Sequence, residues 1–576
     1  MDSRTAAHVL SQIAAYLELS GTSSFKVRAY VGAAKSLRAL GADDLAPLVQ
    51  SGELAAVRGL GPATLSVVRD LVETGESRYL EQLRQAMPEG LLDMLDVPGL
   101  TAARIHQIHQ ELGIETIEDL EAAAGDGRLM RLPKLGPKTA ERILKGIARA
   151  RETGALRLYH HSLAEALPML ASVASHPDVV GAELAGPLRR KCEVVGTIDI
   201  VAACREDPTR VAQSFTRLGG VKNAEGQGSN VRIRFVDGAR LHLTCVPADA
   251  FAFALFCETG SHAHVRSVVT RMNDRGLIVD GHRIADRDGR SISLVTEVDV
   301  YRHAALSFVE PELRENQGEV EAAARNALPA LLRLDDIRGV LHCHSNYSDG
   351  KTSIVELARA AEARGWAYMG ITDHSQAAFY AGGLSSAQIL AQHEEIDELN
   401  ASQSNVRVLK GIEADILADG QIDYGDELLD SFDFVVGSIH SRFSMDRSAM
   451  TERVLRALDD PHLTILAHPT GRLLLHRDPY GLDVEAVLEK AAERGVAVEL
   501  NADPHRLDLD WRHLHRAKEL GVQVEIGPDA HSTGGLDNME IGVGIARKGW
   551  LEPGDVLNTR SAADVLSFAR SRRSIV

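Results

Sequence analysis

Nine side chains in the second half of the sequence are of the kinds that bind transition metals: His342, His344, Asp349, His374, Glu413, His440, His468, Asp529 and His531. They sit in short runs, LHCHSNYSDG, ITDH, GIEAD, GSIH, AHP and PDAH, and nearly every one ends an apolar stretch patterned like a buried strand. Imidazole and carboxylate together suit Zn²⁺, Mn²⁺ or Fe²⁺ better than Ca²⁺ or Mg²⁺ alone. A single histidine on a strand is usually a packed bystander. This many, spread over several strand ends, would form a costly polar cluster if buried without cations. Closely spaced divalent ions make water a nucleophile near neutral pH and neutralise the charge growing on a phosphoryl group. The chemistry to expect is therefore cleavage of a phosphodiester or phosphomonoester. Arg472, in HPTGR, is a candidate to hold phosphate bidentately, with a salt bridge as the plainer alternative.

To converge, these residues need a scaffold that brings strand ends together. The stretches RGVLHCH, AYMGITDH, VRVLKGIEAD, FDFVVGSIH, LTILAHP, VAVELN and VQVEIGPDAH alternate with helical segments such as SIVELARAAEARG. That alternation predicts a closed or nearly closed parallel barrel, whose chemistry lies at the C-terminal ends of its strands.

A second candidate site lies upstream in GPLRRKCEVVGTIDIVAA, residues 186–203. A glycine turn and two arginines lead into a strand that carries Asp199, with Thr197 two residues before it. Residues 1 to about 155 have helical periodicity broken by glycine turns, and one motif recurs: RGLGPATLSVV, PKLGPKTAERI and, more loosely, DVPGLTAARI. Each is a tight turn entering a helix, where unpaired N–H groups and the helix dipole favour phosphate oxygens. Gly59, Gly61, Gly99, Gly136 and Lys138 are the candidate DNA contacts, and such contacts carry no sequence information.

Composition limits the rest. A chain of 576 residues exceeds one hydrophobic core, and 44% apolar with 25% charged residues is ordinary for a soluble protein. The net charge of −18 argues against nucleic-acid binding over the whole surface, though not through local basic and amide sites. Five cysteines without a CxxC pair suit a reducing, cytoplasmic location. No apolar run is long enough for a membrane span.

With those motifs in hand, residues 337–576 resemble the polymerase and histidinol phosphatase (PHP) domain, a distorted (β/α)7 barrel that holds three metal ions. The resemblance assigns His342, His344, Glu413 and Asp529 to the first ion. Glu413, His440 and His468 go to the second, and Asp349, His374 and His531 to the third. One departure is Val340, where the family usually has Asp. SSFKVRAY, AGPLRR, ETGSHAH and EPELREN extend the likeness over the whole chain, which resembles bacterial family X DNA polymerases (PolX). The implied architecture is multidomain. An all-α region with helix-hairpin-helix motifs (1–85, then fingers at 86–155) precedes an α+β nucleotidyltransferase-like palm (156–250). Thumb (251–310) and linker (311–336) lead to the PHP barrel.

In that family the palm presents Asp-x-Asp and a third Asp around two Mg²⁺. Here Thr197 and His242 occupy two of the three positions. One carboxylate and one imidazole do not replace three carboxylates around hard cations, so Mg²⁺ binding and polymerisation are expected to be lost or weak. Gly186, Arg189, Gly260 and Ser261 remain as nucleotide-binding candidates, and Asp199 and Arg189 as a vestigial catalytic pair. Val67 stands where a lyase lysine would, so Schiff-base chemistry is not expected.

The resemblance implies a cytoplasmic, nucleoid-associated, monomeric DNA-repair enzyme. It would act as a Mn²⁺-, Zn²⁺- or Fe²⁺-dependent 3′–5′ exonuclease on gapped, nicked or 3′-ended DNA, and abasic-endonuclease or 3′-phosphatase activity is open. Two alternatives stand beside it: a working gap-filling polymerase that uses dNTPs with barrel proofreading, and a DNA-binding scaffold with a dormant barrel.

Overall fold

The computed structural model describes residues 1–88, 90–154, 156–402 and 405–573. It divides into two compact units. The first comprises Met1–Leu188, Val194–Glu258 and Gly276–Val300; the second comprises Arg189–Glu193, Thr259–Arg275 and Tyr301–Val576.

The N-terminal part of the first unit is helical, as its periodicity predicts. Helix Ser3–Leu19 supplies Leu10, Ile13 and Tyr16 to one core, while its last residue, Leu19, joins a second core with Ile105, Ile108 and Ile143. The three glycine turns share one geometry. Gly59 and Gly99 have φ of 97° and 89°, and in the third copy Lys134 takes the same left-handed region at 66°. Leu60 and Leu135 are buried behind the first and third turns, whereas Gly59, Gly99, Gly136 and Lys138 lie on the surface. Helices Pro62–Thr74 and Pro137–Thr153 follow with proline in the first turn, which sacrifices no hydrogen bond there.

The palm is a five-stranded sheet of β1 (Val179–Leu184), β2 (Ile198–Cys204), β3 (Val221–Glu225), β4 (Asn230–Phe235) and β5 (Arg240–Pro247), in the order β1-β2-β5-β4-β3. β2 and β5 are parallel neighbours, and their register sets Asp199 directly opposite His242.

In the second unit, seven parallel strands run in sequence order: β6 (Gly339–Val340), β7 (Tyr368–Ile371), β8 (Arg407–Asp415), β9 (Phe434–Ser438), β10 (Leu463–Leu466), β11 (Ala497–Asn501) and β12 (Val524–Gly527). Beyond the ends of β6 and β12, Cys343 pairs in parallel with Ala530, so the first and last strands meet and the barrel nearly closes. Most of these strands are buried on both faces, which is why they read as continuous apolar runs. Phe434 fills the interior between Gly370 and Gly411, where an added Cβ would lie 2.4 and 2.5 Å from its ring. The final helix, Ala562–Arg573, packs Val565, Leu566 and Ala569 onto the same inner cluster.

Two expected boundaries differ from the structure. Residues 311–336 are not a tether: Arg314 and Glu319 are fully buried. The Glu319 carboxylate meets His264 Nδ1 at 2.6 Å and accepts from the Asn316 and Gln317 amides at 2.8 and 2.6 Å. Charge and proline gave that segment a linker's composition, but the buried Glu319 carboxylate is held by hydrogen bonds. The thumb span 251–310 is likewise divided, with Thr259–Arg275 and the residues from Tyr301 onward belonging to the barrel unit and the remainder to the first unit.

Candidate active site

All nine metal-type residues converge at the C-terminal ends of the barrel strands. β6 runs on into Leu341-His342-Cys343-His344, and side chains alternate along extended backbone. His342 and His344 therefore share the inner side, both fully buried, while Cys343 joins the outer core. At the centre stands Glu413, near the end of β8 and 1% exposed. Its carboxylate lies 3.0 Å from His468, 3.3 Å from His440, 2.9 Å from His374, 3.6 Å from His344 and 3.7 Å from His342. Burial alone would raise its pKa, but the charges of His374, His440 and His342 hold it well below the ordinary carboxylate value. Asp529 behaves the same way, with burial opposed by His342 and His344.

Three clusters have metal-ligand spacing: His344, Asp349, His374 and His531; His342, His344 and Asp529; and His374, Glu413 and His440. The membership differs from the expected grouping: among the described residues His344 and His374 each serve two clusters, Glu413 serves one, and His468 falls in none, although its Nε2 lies 3.0 Å from Glu413. The donor set fits divalent cations on a structural criterion. His342 Nε2, both ring nitrogens of His344 and His468 Nδ1 are buried without a hydrogen-bond partner, and the buried His374 Nδ1 and Glu413 Oε2 have only each other, 2.9 Å apart. So many unsatisfied polar atoms in one place are expensive unless a cation takes them. His468 and Asp529 also adopt left-handed backbone, φ 27° and 49°, a strain of the kind functional sites retain.

Several supporting residues escaped the sequence reading: Glu499 lies outside every motif, and Asp415 and Asp373 lie within GIEAD and ITDH without having been singled out. Glu499 on β11 places Oε1 2.6 Å from His342 Nδ1 and accepts from the His468 amide through Oε2, also at 2.6 Å. Asp415 does the same for His440 Nδ1 at 2.8 Å. A carboxylate at one ring nitrogen fixes that N–H and leaves the other lone pair for a cation. Asp373 accepts from the Ser345 amide and hydroxyl at 2.9 and 2.6 Å and from the Ser348 hydroxyl, which shapes the loop that carries Asp349.

Arg472 requires correction. It is 6% exposed, and its guanidinium donates to the Arg506 and Leu507 carbonyls and to Asp510. With those partners, and with Glu193 3.5 Å from Nη2, it braces the loop after β11 rather than presenting its fork to the cluster. The arginine that faces the cluster is Arg506, whose Nε lies 3.6 Å from Asp529.

The palm is built differently. Asp199 Oδ1 lies 3.0 Å from His242 Nδ1, and His242 Nε2 lies 2.8 Å from Asn230 Oδ1. Gly186, at φ 60°, approaches so closely that a Cβ would fall 2.1 Å from Asp199 Oδ2. Thr197 lines the same open pocket with Arg232, Arg234 and Arg240. The nearest further carboxylate, Glu258, is 3.9 Å from His242. Among the described residues, no metal-type cluster occurs in the palm. Arg189, Gly260 and Ser261 belong to the barrel unit, where Arg189 donates to Thr259 Oγ1 at 2.8 Å and Ser261 caps helix His262–Asp274.

Sequence comparison places known modules on these parts. Residues 1–77 match a helix-hairpin-helix domain and 91–149 a SAM-like helix-hairpin-helix tandem. Residues 254–315 match the DNA polymerase beta thumb and 341–503 the PHP domain. The DNA polymerase/3′-5′ exonuclease PolX of Bacillus subtilis (strain 168) is 35% identical over 566 residues, 98% of both chains. The chain belongs to the PolX family. Within it the barrel also resembles shorter proteins. A “Probable phosphatase” of Syntrophotalea carbinolica is 32% identical over 28% of this chain and 64% of its own. Another, of Caldanaerobacter subterraneus, is 30% identical over 31% of this chain and 70% of its own. Among the described residues, no helix is long and apolar enough to cross a membrane.

Proposed function

We propose that this PolX-family chain is a DNA-repair nuclease, a metal-dependent 3′–5′ exonuclease whose barrel cleaves the phosphodiester and whose palm positions DNA without polymerising. The observation that carries this is the contrast between Glu413, ringed by five histidines, and Asp199, whose carboxylate is tied to the imidazole of His242.

The nine barrel residues would hold Mn²⁺, Zn²⁺ or Fe²⁺, which supply the Lewis acidity that polarises a phosphoryl oxygen and activates water. The chain's own residues do the rest. Glu499 and Asp415 orient His342 and His440, and Asp373 holds the loop of Asp349 in place. Arg506, held beside Asp529, is positioned to pair with a non-bridging phosphate oxygen. The exposed glycine turns at Gly59, Gly99 and Gly136, with Lys138, would grip the DNA backbone irrespective of sequence. Gapped, nicked and 3′-ended strands are the substrates, and the protein works in the cytoplasm as a monomer.

Degradation of a 3′-labelled strand with Mn²⁺, by wild type and His344→Ala, tests the barrel. Loss in the variant is expected, and an unaltered rate would remove the barrel from the mechanism. Primer extension on gapped DNA tests the palm: robust templated synthesis abolished by Asp199→Ala would refute the second half of the proposal.

A further inference from the structure

Phe379 is 85% exposed and its neighbour Tyr380 62%. Among the described residues, only Phe25 is an aromatic side chain of comparable exposure, so two of the three stand side by side. They occupy a 3₁₀ turn, Phe379–Ala381, shortly after the ligand His374. Their rings meet edge to face with centroids 6.1 Å apart, and the Tyr380 ring lies 6.3 Å from that of His440. The rings therefore stand at the mouth of the metal cluster.

Rigid backbone presents them. The Gln376 amide donates to Tyr424 Oη at 2.9 Å and the Ala377 amide to Asp423 Oδ2 at 2.8 Å. Beyond the turn, the Gly383 and Leu384 amides return to the Ala378 and His374 carbonyls at 3.2 and 2.9 Å. Gly383 passes the Ser375 carbonyl so closely that a Cβ would lie 1.9 Å from its oxygen. A loop fastened at both ends has already lost the conformational freedom that ligand binding would otherwise remove. Large aromatic rings held rigidly in water beside a charged cleft gain nothing for the fold.

We propose that Phe379 and Tyr380 form a stacking platform for the unpaired 3′-terminal nucleobase of a DNA strand whose last phosphodiester lies at the metal cluster. The inference rests on the nuclease reading of the barrel. Every base offers a π-face to an aromatic ring, so the platform is blind to sequence. A base within a duplex has neither face free, so the platform favours single-stranded or frayed ends. Stacking of one base accounts for about a 5- to 150-fold preference.

The test uses the full-length, metal-loaded protein and a single-stranded oligonucleotide with 2-aminopurine at its 3′ terminus, behind a phosphorothioate linkage that resists cleavage. Binding should quench the probe's fluorescence, and Phe379→Ala with Tyr380→Ala should remove the quench. The conservative pair Phe379→Tyr and Tyr380→Phe should retain it. On a cleavable strand, the double alanine variant should raise KM by about 5- to 150-fold, and an abasic 3′ terminus should abolish that difference. A quench that survives in the alanine variant, or no quench at saturation, overturns the platform. A wild-type protein that degrades the cleavable strand without quenching refutes the platform alone, whereas failure to degrade it at all refutes the nuclease reading beneath.

Discussion

Asp199 and His242 face each other across two parallel palm strands, with Oδ1 and Nδ1 3.0 Å apart. In that register the imidazole occupies the place from which a second carboxylate would reach a shared cation. Thr197, on the same pocket wall, adds a hydroxyl and no charge. Restoring the charge should restore the chemistry: Thr197→Asp combined with His242→Asp is expected to gain Mg²⁺-dependent primer extension, while either change alone is not. Comparable extension by the unaltered protein would show that the present palm already suffices.

Glu499 is expected to act through His342 and His468, which it touches without facing the cluster centre. Glu499→Gln keeps the shape and removes the charge that holds the imidazole N–H. Metal affinity, measured by titration calorimetry, should fall about 10- to 100-fold. An unchanged affinity would make Glu499 a packing residue only.

Arg472 and Arg506 should part company. Arg506→Ala is expected to lower kcat/KM by about 10- to 150-fold, the worth of a hydrogen bond to a charged group, with the unfolding midpoint unmoved. Arg472→Ala strips partners from Asp510 and two carbonyls and should destabilise the barrel by about 3–5 kcal/mol in urea unfolding. The reverse pattern would return the phosphate role to Arg472.

Inside the barrel, Gly411→Ala would drive a methyl against Phe434, 2.5 Å away. Overpacking of that kind costs about 1–3 kcal/mol. Pairing it with Phe434→Leu should recover part of the loss, which chemical denaturation would read directly.

His264 is fully buried between Glu319 and Tyr301. Burial lowers its pKa, and the hydrogen bond and charge of Glu319 oppose without reversing this. The unfolded chain therefore takes up a proton that the folded one resists. This contribution is fully present above the unfolded value of about 6.5 and is lost as pH falls from there towards the depressed folded value. Urea midpoints should drop between pH 7.5 and 5.5, less so in His264→Gln. An equal drop in both proteins would assign the effect to other groups.

The convergence of the nine residues was legible because alternation forces His342 and His344 to one side and because strand ends of a parallel barrel converge. The palm positions of Thr197 and His242 came from the family resemblance, and the parallel register of β2 and β5 is what sets His242 opposite Asp199. Glu499 was hidden, since a glutamate on a buried strand carries no spacing signature, and Asp415, although inside GIEAD, was not singled out because its role depends on which imidazole it meets across the barrel. The choice between phosphate and salt bridge for Arg472 stayed open because a motif shows that an arginine is near a site, not which way its side chain turns; the structure pairs it with Asp510. The packing of segment 311–336 was hidden because composition records charges without showing that the Glu319 carboxylate is buried and hydrogen-bonded to His264 and to two backbone amides.

The central claim is that divalent cations belong to the barrel and have been lost from the palm. Anomalous diffraction from crystals soaked in Mn²⁺ with a nucleoside triphosphate reads both sites in one experiment. Peaks around Glu413, with none beside Asp199, are the predicted result. Two peaks beside Asp199 and none at Glu413 would contradict the account.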